Sequence, residues 1–154
     1  MTGTVEAKLA DMGIELSATA PAANYVPYTM SGNLLYVSGQ IPIGPNGLDG
    51  MTGLLGGGMS VEGGQAAARQ CAINILAQAK AALGDLDRIK QVLKTQNFIA
   101  ATPDFGDHPE VANGASDFLV DVLGERGKHA RAAIGMSSLP RGVAVEIDAI
   151  IEFE

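Results

Sequence analysis

Tryptophan is absent from this sequence, cysteine occurs once, histidine twice, and ten Lys and Arg face seventeen Asp and Glu. Each scarcity excludes something. A lone Cys71 rules out an internal disulfide framework and fits a reducing compartment. His108, His129 and Cys71 form no metal-ligand set at any recognised spacing, so no metal site is expected. Binding to a phosphate backbone draws on clustered Lys and Arg that release counterions. Here the basic residues are scattered and the formal net charge is −7, so nucleic acid is not the expected partner. No run approaches the roughly 18–20 apolar residues of a membrane span. The opening MTGTVEAKLADMGIEL carries acidic residues and no long apolar stretch, unlike a signal peptide. These features together imply a cytoplasmic protein.

What is present suits one domain over residues 1–154, since 47% of the residues are apolar and can form a core of useful size. Val5, Leu9 and Met12 lie at helical spacing before Gly13, which predicts a short helix within an N-terminal lead-in, residues 1–19. Tyr25 to Met30, the turn Ser31-Gly32-Asn33 and Leu34 to Ser38 read as a hairpin. Glycines crowd between Gly32 and Gly64, and residues 44–59 read as a flexible loop. Ser60 can cap a long helix whose alanine-rich stripe invites close approach by a sheet, and Gly84 ends it. A strand over 89–101, a helix beginning near Pro109 and stopping at Gly124, a strand over 130–135 and a final strand over 143–153 complete the order α-ββ-α-β-α-ββ. The expected architecture is α+β: one mixed sheet with both main helices on one face. Its other, half-apolar face is best buried by another subunit, so a homo-oligomer is expected.

Few residues offer chemistry. Gly53 to Gly58 lacks the Gly-Lys-Ser/Thr ending of a phosphate-binding loop. No Ser/His/Asp or Cys/His set can be assembled from spacing, and Cys71 falls in a helix facing the core, where a buried and unreactive thiol is expected. Arg131 stands apart. It sits in HARAAIGMSSLP among small apolar neighbours, and an arginine is seldom buried without a partner. Its planar fork suits bidentate capture of a carboxylate. The alternative is a structural ion pair with Glu146 or Asp148 on an adjacent strand. Glu146, inside VAVEIDAII, is open to the same two readings: a proton-handling carboxylate, or merely the neighbour of Arg131.

Three blocks, APAANYVPY, YVSGQIPIG and HARAAIGMSSLPRGVAVEIDAIIEFE, resemble the reactive-intermediate deaminase family, RidA/YjgF, from about Ala20 to Ile151 and in the same order. VANGASDF and GERGKHARAAIG are similar to a longer, less characterised branch of it. The resemblance implies a chorismate-mutase-like fold and a homotrimer whose sheets pack around a central barrel-like core, with clefts between subunits. It implies that Arg131 holds a substrate carboxylate and that Glu146 lies near the catalytic water. Tyr28, Ser38, Gly39 and, more loosely, Asn113 match pocket residues. Ala133 stands where many members have cysteine, and the stretch between Tyr28 and Leu34 is shorter than in the founding branch.

The activity so implied is hydrolytic deamination of enamines or imines derived from amino acids, giving a 2-oxo acid and ammonia with no metal or organic cofactor. A non-catalytic binding protein for a small carboxylate-bearing metabolite, using the same cleft, is the main alternative. Endoribonuclease activity has been proposed within the family, and the acidic charge disfavours it here.

Overall fold

The structure is a computed structural model that describes residues 3–21 and 23–154. Its core begins with the long helix. Ser60 Oγ accepts from the Gly63 N–H at 3.0 Å, which satisfies one of the free donors at the start of the helix over Val61–Leu83. Gly84, at φ 81°, ends it. We call this helix α2, because a short α1 over Thr4–Asp11 precedes it. A third helix, α3, covers His108–Leu123 and starts with Pro109, whose missing N–H costs nothing there. Small residues let α2 and α3 touch backbone to backbone. A Cβ placed on Gly114 of α3 would lie 2.2 Å from the Gln65 carbonyl oxygen of α2.

Both helices cover one face of a five-stranded sheet. The strands are β1 (Tyr28–Ser31), β2 (Leu34–Gln40), β3 (Ile89–Ala100), β4 (Ala130–Met136) and β5 (Val145–Phe153). Their order is β1-β2-β5-β3-β4, with β3 and β4 parallel and the remaining pairs antiparallel. The parallel pair requires a crossover, which α3 supplies. The expected mixed sheet is therefore present.

Alternation along β5 sets the two faces. Val145, Ile147, Ala149 and Ile151 are buried beneath the helices, while Glu146, Asp148 and Ile150 project from the other side. That side carries exposed Tyr36 and Ile134. At the opposite end of the molecule, Asp87 accepts from the Thr4 and Val5 N–H groups, placing a negative charge at the start of α1. Val5 and Leu9 then enter the core as the spacing predicted.

Two expectations need correction. The glycine-rich segment 44–59 is anchored rather than free: Leu55 is fully buried, donates to Ala100 O and accepts from Thr102 N–H. Glycines on either side hide the fact that Leu55 is a core residue. The last strand begins at Val145, because the Ala144 N–H donates out of line to Met51 O. Among the described residues no helix is long and apolar enough to cross a membrane.

Candidate functional site

Arg131 lies on the outermost strand, opposite Thr95 of β3. Thr95 is buried on the helix side, so the arginine projects toward α3. There Nη1 donates to Asn113 Oδ1 at 2.9 Å and to Ser116 Oγ at 3.0 Å, and Nη2 donates to Pro109 O at 3.1 Å. Nε makes no hydrogen bond among the described residues and Nη2 makes one, so the guanidinium keeps donors for a carboxylate.

No carboxylate among the described residues lies within ion-pair distance of Arg131. The structural ion pair with Glu146 or Asp148 is therefore not formed within the chain. The reason is strand order: β3 separates β4 from β5, and nothing in the sequence shows that.

A further pair, unforeseen from spacing, supports the arginine. His129 Nδ1 is 2.6 Å from the Gly127 carbonyl, which can only accept, so Nδ1 carries the proton. The ring's Nε2 lies 2.9 Å from Ser116 Oγ, the same oxygen that accepts from Arg131. Two residues beyond Arg131, Ala133 is partly buried and packs against the core. At Gly135 a Cβ would come within 2.7 Å of His108 Nε2, so glycine is what admits this imidazole. His108 stands edge-on to Phe105 and lines an open cavity of about 490 Å³ with Thr102, Met136 and Ser137.

A second group assembles around Glu146. The β2–β5 register slips between Val37 and Gln40, and Gly39 lies in the slip. A Cβ on Gly39 would stand 3.1 Å from Glu146 Cδ, so glycine gives the carboxyl its room. Burial pushes Glu146 above the usual carboxylate range, and the nearby charge of Asp148 adds to the shift. Asp148 is itself raised by burial, against a backbone hydrogen bond from Gln96 and the charge of Lys94.

Glu146 borders a cavity of about 400 Å³ walled by Pro21, Tyr25, Pro27, Gly39 and Arg141. Ser38 holds part of that wall: its hydroxyl donates to Val26 O at 2.8 Å and its N–H to Pro27 O at 2.9 Å. Tyr28 pairs with Val37 and packs toward the core. Tyr25, not Tyr28, borders this cavity. Cys71 is fully buried, and burial together with the charge of Glu146 raises its thiol well above its usual value. It stays a thiol, which is the unreactive form.

The functional candidates thus fall into two groups. Arg131, Asn113 and Ala133 lie at the β4 edge on the helix side, while Gly39 and Glu146 lie near the β2–β5 slip, where Glu146 projects from the other side. Elsewhere the carboxylates of Glu6, Asp85 and Asp87 converge, but hydrogen bonds from Lys80, Leu86, Thr4 and Asp87 already engage all three.

Comparison with known proteins identifies this arrangement. Residues 6–146 match the family described as "YjgF/chorismate mutase-like, putative endoribonuclease". The chain belongs to the YjgF/RidA family. Protein TCP17 of Trypanosoma cruzi is 51% identical over 154 residues, covering 98% of this chain and 95% of that one. Among solved structures, Atu1372 of Agrobacterium tumefaciens, a protein described as of unknown function, is 51% identical with a TM-score of 0.91, covering 98% of this chain and 94% of that one. A structure from Shewanella oneidensis described as a putative endoribonuclease is 34% identical with a TM-score of 0.93, covering 98% and 100%.

Residue type singled out Arg131 and Glu146, and the resemblance added Gly39 and Asn113. It missed Ser116 and His129, although both fall in the blocks VANGASDF and GERGKHARAAIG. It also passed over His108, at the first position of α3, and Tyr25 and Arg141, which reach their positions through turns that carry no periodicity.

Proposed function

We propose that this protein hydrolyses enamine or imine derivatives of amino acids, and that Arg131 of one subunit and Glu146 of a neighbouring subunit serve one cleft. The observation that carries this reading is the state of Arg131. Three neutral oxygens hold its guanidinium, no acidic residue among the described ones neutralises it, and Nε makes no hydrogen bond there. A site so held favours an anionic ligand presenting two oxygens. Membership in a family of oligomeric proteins, the uncovered sheet face and the separation of Arg131 from Glu146 support a shared cleft, and a homotrimer is the assembly that the family resemblance implies.

In this mechanism Arg131 binds the substrate carboxylate and fixes the C=N carbon beside an ordered water. An enamine reacts once a nitrogen proton has moved to its terminal carbon, which gives the imine. Ionised Glu146 accepts a proton from the water as the water oxygen bonds to the C=N carbon, and passes it to nitrogen to give a carbinolamine. Glu146 then relays the carbinolamine hydroxyl proton to the amine, the C–N bond breaks, and ammonia and a 2-oxo acid are released. A carboxylate held above its ordinary value is a better base for this step than an exposed glutamate. Ser38 and Gly39 shape the wall beside Glu146, Asn113 holds Arg131, and Tyr28 and Ala133 contribute packing.

The test is ammonia release from freshly generated 2-aminoacrylate by wild type, Arg131→Ala and Glu146→Gln, against buffer alone. Wild type is expected to accelerate the decay, and Arg131→Ala to lose about 100-fold, as removal of a charged hydrogen-bonding anchor would give. Decay at the buffer rate across small and bulky imines would overturn the enzymatic reading. Saturable carboxylate binding in that case would establish a binding protein instead.

A further inference from the structure

Among the described residues only one non-glycine adopts a positive φ: Arg141, at φ 58° and ψ 17°. This left-handed conformation costs an ordinary side chain about 1–2 kcal/mol, and glycine would avoid that cost. Arg141 sits in the turn Leu139–Gly142 that leads into β5, next to a glycine that also has positive φ. The turn brings it to the wall of the same 400 Å³ cavity that Glu146 borders.

Arg141 forms no ion pair among the described residues, and no side-chain hydrogen bond there engages it. It does not pair with Glu146, whose shift is set by burial and Asp148 without any opposing cation. The two charged residues line the same cavity without forming an ion pair. The other polar side chains of the wall are largely spent: Gln78 donates to Thr19 O and Gln40 to Ser38 O. Glu146 and Arg141 are the charged groups left facing the space. Strain kept in a non-glycine residue at the rim of a site is a mark of function.

We propose that Arg141 is a second anion-binding group of this site, which selects substrates carrying a distal carboxylate: imines of dicarboxylic amino acids. The proposal rests on the reading of Arg131 and Glu146 above. With the α-carboxylate on Arg131 and the C=N carbon beside Glu146, the substrate side chain extends along the cavity toward Arg141.

The experiment separates selectivity from turnover. Binding of 2-oxoglutarate and of its γ-amide, the monoanion 2-oxoglutaramate, is measured by calorimetry on the assembled wild-type protein, Arg141→Ala, Arg141→Lys and Arg141→Gly. Hydrolysis of the corresponding imines is followed beside it. Wild type is expected to prefer the dianion roughly 10- to 100-fold, the range a charged hydrogen bond supplies. Arg141→Ala and Arg141→Gly should bring the ratio near one with binding of the amide unchanged, while Arg141→Lys keeps part of the preference. Arg141→Gly relieves the positive φ, so its Tm should match or exceed wild type, which excludes misfolding as the cause. A wild-type ratio near one, or a preference that survives Arg141→Ala, overturns the proposal. An Arg141-dependent binding preference without imine hydrolysis supports it and overturns the deaminase reading alone.

Discussion

Arg131 shows how one residue can be charged, partly buried and still available. Its cost of burial is offset by Asn113, Ser116 and the Pro109 carbonyl, none of which carries a formal charge. Ser116 accepts from Arg131 and is held in turn by its contact with His129 Nε2. Ser116→Ala is therefore expected to loosen the guanidinium and to raise KM about tenfold with kcat little changed, in line with one lost charged hydrogen bond. Steady-state kinetics on 2-aminoacrylate would show it, and an unchanged KM would remove Ser116 from the binding machinery. Glu146 and Asp148 make a prediction about pH. Both carboxyls are held above their ordinary values, so the folded chain binds these protons more tightly than the unfolded chain. Their contribution to stability is full below the ordinary carboxylate range and is lost as pH rises through the raised values. Glu146→Gln removes its share of that loss. Its Tm should exceed wild type near about pH 7 and converge on it near about pH 4. A gap that widens toward acid in thermal melts would contradict the assignment.

Among the elements, α2 and α3 depend on contact between backbones. Alanine is a better helix former than glycine by about 1 kcal/mol. At Gly114, however, the added methyl would meet the Gln65 carbonyl at 2.2 Å. Gly114→Ala should therefore destabilise the fold by about 2–3 kcal/mol in urea titration, a cost of overpacking that outweighs propensity. Stabilisation would mean that the helices can part freely. Such contacts also mark what the sequence could reveal. Ser60 and Gly84 announce the ends of α2, and the alternation Val145-Glu146-Ile147-Asp148 announces both the strand and its two faces. The placing of β3 between β4 and β5 is different, because it is fixed by pairings distant in the chain. Without that order an Arg131–Glu146 ion pair looks reasonable. Leu55 was obscured in a similar way, since glycines around it erase the period that would have marked it as core. Arg131 and Glu146 stand out as candidates from residue type and family resemblance, whereas the hydrogen bonds of Ser116 and His129 and the turn at Arg141 form only in the folded chain.

For the whole molecule, the net charge is −7 and the sheet face away from the helices carries exposed Tyr36 and Ile134, an apolar patch on which the proposed assembly rests. The central claim is that the Arg131 edge of one subunit completes the Glu146 cavity of the next. Complementation tests it most directly. Arg131→Ala and Glu146→Ala proteins, each inactive alone, are unfolded together, refolded as mixed oligomers and assayed for ammonia release. In a ring of heterologous interfaces, some clefts of a mixed assembly combine an intact Arg131 with an intact Glu146. Random assortment at equal amounts should restore activity to roughly a quarter of wild type. Mixed oligomers that form but stay as inactive as their parents would contradict a site shared between subunits.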